Sequence, residues 1–176
     1  MKNRTKVTFA LLIASTFLLA LAPSAIGSST AYSGSSSTTL TKIHGIWTVT
    51  YLNSTTLYTK GNWQYGVGSG PGFIYGALHG TAQGEFLTAY NTKTQVILFS
   101  GQIVCQCTLF GKHGTVWISM NHGIDVNASN PNGKTTASFT ITNASGGLKG
   151  LYGFGPMHTT TSSDDMNFTM WVGFKN

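Results

Sequence analysis

The chain has 176 residues and carries few charges: 8% of its residues are Asp, Glu, Lys or Arg, while 41% are hydrophobic. Its formal charge of +6 falls to +3 when the three basic residues nearest the N-terminus, Lys2, Arg4 and Lys6, are set aside. The rest of the chain has seven Lys and no Arg, whereas readout of nucleic acids relies on the bidentate guanidinium group. Composition therefore argues against a nucleic-acid partner.

Residues 1–27 are typical of a secretory signal peptide. The three basic residues precede an apolar stretch from Val7 to Ala22, and Ala25-Ile26-Gly27 offers small residues for cleavage. The apolar stretch has about 16 residues, short of the roughly 20 that span a bilayer. We therefore expect cleavage, an extracellular location and no stable membrane span afterwards; retention as an anchor is the alternative.

Residues 28–40 are rich in Ser and Thr and predict a disordered tether, and residues 41–176 are long enough for one domain. Short segments of this domain alternate apolar and polar residues, as strands do when one face lies in a core. Closing the sheet removes the exposed edges that invite aggregation. We predict an all-β fold, an antiparallel up-and-down barrel of about eight strands with no substantial helix.

The predicted strands are bounded by turn residues such as those of Asn130-Pro131-Asn132-Gly133. In chain order they are residues 41–52, 57–67, 73–83, 85–91, 94–101 continuing into 102–109, 115–122, 135–142, 148–154 and 166–174. Gly72, Gly76, Gly80 and Gly84 recur every four residues. On one strand they would share a face, where a sheet can coil tightly.

Residues 102–122 predict a hairpin around Gly111-Lys112. Each arm has an apolar face: Ile103, Cys105, Cys107 and Leu109 on the first, and Val116, Ile118, Met120 and His122 on the second. A slip of one residue would move every side chain to the other face. The two apolar faces coincide if the turn has an even number of residues, which is what we expect.

Spaced glycines mark four segments: residues 80–90 (GTAQGEFLTAY), 99–101 (FSG), 111–115 (GKHGT) and 147–155 (GLKGLYGFG). Together they resemble a secreted prokaryotic family of unknown function that is grouped with allene oxide cyclase-like barrels. The resemblance covers roughly Ile43 to Phe174. It implies an antiparallel barrel of about eight strands with a largely apolar cavity, and it leaves a homo-oligomer open.

Aromatic residues are abundant, with ten Phe, seven Tyr and four Trp, and a small barrel either fills its bore with rings or lines a pocket with them. We expect an extracellular barrel that binds a small apolar ligand. The candidate wall residues are Trp47, Tyr51, Phe86, Tyr90, Trp117 and Phe168.

Glu85 is the acid that falls inside a predicted strand, and it is the candidate polar anchor for that ligand. The family resemblance implies an alternative function, an isomerase or cyclase that acts on a lipid-derived substrate with Glu85 as general acid or base. A solidly packed structural or surface-assembly barrel is a third interpretation. A carboxylate at the rim, paired with Lys or water, is the plainer role for Glu85.

Cys105-Gln106-Cys107 places two sulfurs on one face of a strand, with their Cα atoms about 6.6 Å apart. Such parallel side chains fit disulfide geometry poorly. Three interpretations stay open: apolar filling of the interior, a disulfide that needs a bulge, and a Cu or Zn site completed by Met120 and His122. Apart from that metal ion, the sequence indicates no cofactor.

Within residues 41–176, four Asn-x-Ser/Thr sequons begin at Asn53, Asn127, Asn143 and Asn167. The first three lie in predicted turns and the fourth on the polar face of its predicted strand. They fit the glycan acceptors of a secreted glycoprotein. Chance is the alternative in a chain rich in Asn, Ser and Thr.

Overall fold

A computed structural model of the chain describes residues 39–50, 52–126, 134–159 and 165–175. These ranges hold nine antiparallel strands and a 3₁₀ turn at Gly146–Leu148, and within them no helix is long and apolar enough to cross a membrane. The strands are β1 (Thr41–Val49), β2 (Asn53–Lys60), β3 (Trp63–Gly76), β4 (Leu78–Asn91), β5 (Val96–Leu109), β6 (Lys112–Val126), β7 (Lys134–Ala144), β8 (Leu151–His158) and β9 (Asp165–Phe174).

Strands β3 to β9 pair in chain order, and β1 closes the ring. On one side β1 pairs with β9, where Ile43 is opposite Met170, and on the other with β3, where Trp47 is opposite Ile74. This is a closed antiparallel barrel of eight strands, as the sequence predicted. The ninth strand, β2, pairs with β3 beyond the stretch that β1 occupies, and all its residues are exposed.

Side chains alternate between the core and the outer face, as expected for a closed sheet. At the end where β4 begins and β5 ends, Leu78, Leu109 and Leu148 of the 3₁₀ turn have no exposed surface. We call this the closed end. We call the opposite end, where β3 begins and β6 ends, the open end, because inward side chains of the described residues there, such as Phe99 and Ala137, are only partly buried.

Two predicted strands are wrong because the chain reverses inside them. Residues 57–67 contain the β2–β3 turn at Gly61, where φ is +58°, and residues 73–83 contain the β3–β4 corner at Ala77. Gly76 precedes that corner with φ of +116°, which favours glycine. The four regularly spaced glycines therefore belong to two strands, two on β3 and two on β4, rather than to one. The predicted continuity of residues 94–109 is confirmed by β5.

The β5–β6 hairpin has the even turn that the sequence predicts. Leu109 pairs with Lys112 across Phe110 and Gly111, whose φ values are +51° and +75°, as in a type I′ turn. Further along β6, the pairing with β7 shifts between Asn121 and Ile124. His122 lies in this bulge with φ of +53° and is exposed. The sequence predicts that His122 lies on the same face as Met120. The structure shows that it does not.

Candidate functional site

Aromatic rings fill the bore of the barrel. Trp47 lies 5.6 Å from Phe86 and 6.4 Å from Phe139 between ring centroids, and Phe139 lies 5.8 Å from Phe168. None of the four residues is more than 7% exposed. Three predicted wall residues thus come together, but they pack on one another through Phe139. Sequence reasoning did not select Phe139 as a site residue, although its alternation with Ala137 and Ile141 placed it on the apolar face.

Glycines make room for these rings. A Cβ atom on Gly84 would lie 2.5 Å from Cζ of Phe86, and one on Gly101 would lie 2.5 Å from Cδ1 of the same ring. The ring therefore lies flat over the backbone of β4 and β5, where larger residues would displace it. This explains the glycines of these segments as packing residues.

The core becomes less tightly enclosed toward the open end. Val49, Phe99, Ala137 and Met166 are partly buried apolar residues that pack on the buried core. Each lies on the inner face of its strand. Val49, Ala137 and Met166 are two positions from a buried inward residue, and Phe99 is four positions from Ile103. We call these four residues the apolar layer.

A row of side chains crosses five neighbouring strands above the apolar layer. The pairing runs from Gln64 through Tyr90, Ile97 and Asp125 to Thr135. Tyr90 lies four residues after Phe86 on β4, so the row is on the inner face. Thr159 joins it: its Oγ1 accepts a hydrogen bond from the Thr135 N–H at 3.0 Å, and its own N–H donates to the Thr135 carbonyl at 3.0 Å. The open end thus has an apolar base and a hydrogen-bonding rim.

Asp125 provides the carboxyl group of this rim. Partial burial raises its pKa above the usual range, while a side-chain hydrogen bond with Thr135 lowers it in part. Of the acids in the described ranges, Asp125 is the one on the inner face. Asp165 lies on the outer face opposite Thr48, and Glu85 also lies on the outer face.

Glu85 does not occupy the place predicted for it. Its neighbour Phe86 points into the core, so Glu85 points outward and is exposed between Ser69 and Gln102 on the adjacent strands. The expectation of a carboxyl buried in an apolar cavity at this position is therefore wrong. The plainer interpretation, a solvated carboxylate, agrees with its exposure.

Trp47 carries an unsatisfied donor near the base of the open end. Its Nε1–H is buried and has no hydrogen-bond partner among the described residues. Nε1 lies 3.1 Å from where a Cβ atom on Gly72 would be, and Gly72 pairs with Val49 of the apolar layer. Buried polar groups are hydrogen-bonded in the large majority of cases. An orphaned donor costs about 1–3 kcal/mol, so an acceptor that reached this level would recover that free energy.

The remaining three predicted wall residues do not lie together. Tyr90 belongs to the inner row at the open end, and Tyr51 lies outside the described residues. Trp117 is half-buried on the outer face, because its neighbours Val116 and Ile118 point into the core. The prediction that Trp117 lines the interior is therefore wrong.

Cys105 and Cys107 form a disulfide, with their Cα atoms 5.3 Å apart and no exposed surface. The strand contracts locally compared with the separation expected for an extended chain. The residue opposite Cys105 is Val116, whereas Met120 is opposite Gly101. His122 is exposed in its bulge. The predicted soft-metal set is therefore not assembled, and the described ranges contain no group of three or more His, Cys, Asp or Glu arranged to hold a metal ion.

The sequons occupy outer positions where the structure describes them. Asn53 and Asn143 are exposed within β2 and β7 rather than in turns, and Asn167 is partly exposed on β9. Oδ1 of Asn143 accepts a hydrogen bond from the Ala144 N–H at 2.9 Å. Asn127 lies outside the described residues. Glycosylation stays a prediction.

A separate concavity lies on the outer face of β3 to β6. This open groove has a volume of about 450 Å³, and its lining includes Tyr65, Leu87, Ala89, Leu98 and Ile124. All five alternate with inward residues of their strands, so their side chains point away from the bore. The groove is apolar. Its lining also includes Thr88, Phe99 and Gly123, which occupy inward positions of their strands, so the groove adjoins the apolar layer from the outside.

No family model and no curated protein matches the chain. Among solved structures, the chain is similar to a protein of unknown function from the DUF3224 family of Shewanella oneidensis MR-1. The TM-score is 0.60 and the sequence identity 18%, over 78% of this chain and 99% of that one. A likeness at this identity shows the fold and not the chemistry. It supports a barrel of uncharacterised function, while the allene oxide cyclase grouping stays a prediction.

Proposed function

We propose that the protein is a secreted β-barrel that binds a small, largely apolar molecule at the open end of the barrel. The observation that carries the proposal is the orphaned indole N–H of Trp47 near the base of that end. Secretion rests on the signal-like residues 1–27. The ligand class is an apolar body that carries one hydrogen-bond acceptor, such as a carbonyl, ether or carboxylate oxygen.

The open end suits such a molecule better than the bore does. The rings of the bore are in mutual contact and at most 7% exposed, so a ligand there would have to displace them. At the open end, the apolar layer offers surface worth about 25 cal/mol for each Å² removed from water. Asp125 and Thr135 lie above that layer, on the side from which the molecule enters.

Native mass spectrometry of the protein recovered from its secretion medium is the first test. We expect a retained small molecule in the wild type and at least about a tenfold weaker retention in Trp47→Phe, which loses the donor. Trp171→Phe, the same exchange on the outer face, is the matched control and should retain the molecule. A wild-type protein without any adduct, or equal retention in Trp47→Phe, would overturn the proposal.

A fluorescent probe localises the site independently of the natural ligand. Nile red is apolar and carries a carbonyl acceptor. Ala137→Phe places a ring in the apolar layer and should abolish its emission, whereas Leu98→Ser, in the outer groove, should leave it unchanged. The reverse pattern would place apolar binding in the groove and refute the open-end site.

A structural or surface-assembly barrel is the second candidate, and the filled bore favours it. It predicts a clean apo mass before and after denaturation. The isomerase or cyclase alternative lacks a comparable observation, because Glu85, on which it depends, is exposed on the outer face.

A further inference from the structure

The outer face of the barrel carries an apolar surface near the open end. Six of its residues are 37–60% exposed: Tyr58, Val67, Leu87, Leu98, Ile124 and Val126. They are contiguous, because Val67 pairs with Leu87 and Leu98 pairs with Ile124, while Tyr58 stacks on Tyr65 with ring centroids 4.6 Å apart. We call these six residues the outer apolar face.

This surface contrasts with the polar outer face of β7. The outward residues of β7 are Thr136, Ser138, Thr140 and Thr142, as expected for a strand that faces water. The outer apolar face instead spans five strands, about 24 Å across and about 13 Å along them. Monomeric soluble proteins rarely expose contiguous apolar patches larger than a few hundred Å². The outer apolar face is about as large as the largest such patch on a typical monomer, and patches of that rank are often functional.

The two ends of the outer apolar face carry charges of opposite sign. Lys60, Lys93 and Lys134 lie at the open-end border, where β2 ends, β4 turns into β5 and β7 begins. Glu85 lies at the other border, six residues before Asn91 on β4, or about 20 Å along the strand. Within the described ranges, no Lys, Asp or Glu points outward between these borders.

We propose that the outer apolar face packs against the same face of a second copy of the chain, with the strands of the two copies antiparallel. A two-fold axis that crosses β4 between Leu87 and Ala89 makes the surface self-complementary. It sets Leu87, the most exposed residue of the face, over the partner's Ala89, a small residue that lines the groove. The groove thus receives the partner's side chain.

The charges select this arrangement over the parallel one. In the antiparallel dimer Glu85 meets the border that carries the partner's Lys93, whereas a parallel dimer would set the lysine border of one copy against the lysine border of the other. Like charges across an interface disfavour a docking geometry, and opposite charges favour it. Two sheets packed in this way lie about 10 Å apart, which brings both borders within reach of long side chains.

Sedimentation velocity of the purified protein over micromolar concentrations tests the interface. We expect a dimer, and Leu87→Asp should weaken it at least about tenfold, as truncation of a central anchor does. Phe154→Asp is the matched control, since Phe154 is a comparably exposed outer residue, on β8, and should leave the dimer intact. Unchanged circular dichroism shows that both variants fold. A monomer at all concentrations, or dissociation by Phe154→Asp alone, would overturn the proposal.

A charge exchange tests the orientation even if an apolar variant fails to fold. Glu85→Lys and Lys93→Glu should each weaken the dimer roughly threefold at low salt, and the double variant should restore it. The effect should shrink at 1 M salt. If the single variants had no effect, the antiparallel arrangement would be refuted. If the protein is a monomer that retains a small molecule lost on Leu87→Asp, the groove is a ligand site and the dimer is refuted.

Discussion

Phe139 gives the sharpest test of how the bore is filled, because its ring lies between those of Trp47 and Phe168. The ring is 1% exposed, and its centroid lies 6.4 Å and 5.8 Å from theirs. Phe139→Ala removes the ring from a site whose walls are held by strand pairing on both sides. Little collapse can follow, so the cavity should persist. We expect a loss of about 3–5 kcal/mol in the free energy of unfolding.

This loss is a large fraction of the total free energy of unfolding, which is about 5–15 kcal/mol for a domain of this kind. For a domain of this length each kcal/mol moves the melting temperature by about 3–5 °C, so Tm should fall by about 10–20 °C. Urea unfolding followed by far-UV circular dichroism measures the change, with an unaltered m value. Phe154→Ala is the control: that ring is 52% exposed, and its removal should cost less than about 1 kcal/mol.

A loss below about 1.5 kcal/mol in Phe139→Ala would refute the filled bore. The ring would then border free space, and the bore would return as the candidate pocket. The persistent cavity gives a second readout, since dry apolar cavities of ring size bind benzene. Saturating benzene should raise the Tm of Phe139→Ala and leave that of the wild type unchanged.

Two further predictions concern Asp125 and the disulfide. Because burial raises the pKa of Asp125, its favourable contribution is present below the unfolded-state pKa of about 3.9 and is lost as the pH rises through the folded-state pKa. The urea midpoint of the wild type should therefore fall between pH 3 and pH 7, and it should fall less in Asp125→Asn. An equal fall in both proteins would contradict the partial burial of Asp125. Replacing Cys105 and Cys107 together by Ser should cost about 3–6 kcal/mol: so short a loop accounts for about 1–2 kcal/mol, and two hydroxyls at positions without exposed surface account for the rest. Alkylation of the denatured protein should need a reductant; labelling without one would show free thiols.

The alternation of apolar residues was sufficient to predict the barrel. It identified β9 almost to the residue and the continuity of β5. In β9 the inward residues from Phe168 to Val172 are buried, and in β5 those from Ile103 to Leu109 are. It failed at Gly61 and at Ala77, where the reversal takes no more than two residues. The pattern on the two sides of such a turn reads as one uninterrupted strand. At the first reversal the pair Gly61-Asn62 is itself a two-residue hairpin signal, which the alternation of apolar residues does not register. At the second reversal Gly76 marks the corner, and no pair of turn residues follows it.

The sequence placed the inner carboxyl on the wrong residue for a related reason. Glu85 and Phe86 are neighbours, so one of them must point outward, and the ring has more to gain from burial. Asp125 could not be selected by counting, because alternation from Met120 would place Ile124 inside and Asp125 outside. The extra residue of the bulge at His122 reverses that order. An orphaned donor such as Trp47 Nε1 depends on three-dimensional packing and leaves no trace in a residue pattern.

The bulge of β6 therefore links the two proposed surfaces, and deletion of His122 tests that link. At the bulge, β6 advances by three positions while each neighbouring strand advances by two. Met120 and Gly123 pair with Gly101 and Phe99 of β5, and β7 shows the same offset. Removal of one residue here restores regular pairing without moving Asp125 or Ile124 to the other face. The fold should survive, with a loss within about 2 kcal/mol.

Bulges increase the local twist of a strand, and His122 and Ile124 line the outer groove. A regular ladder should flatten that groove, so deletion of His122 should weaken the dimer and spare ligand retention at the open end. Deletion of Ser119 is the control: alternation from Ile118 then moves the buried Met120 to the outer face and Asn121 into the core, so it should destabilise the fold far more than deletion of His122. If deletion of His122 also abolished folding, the bulge would be needed for the barrel itself and not for the groove alone.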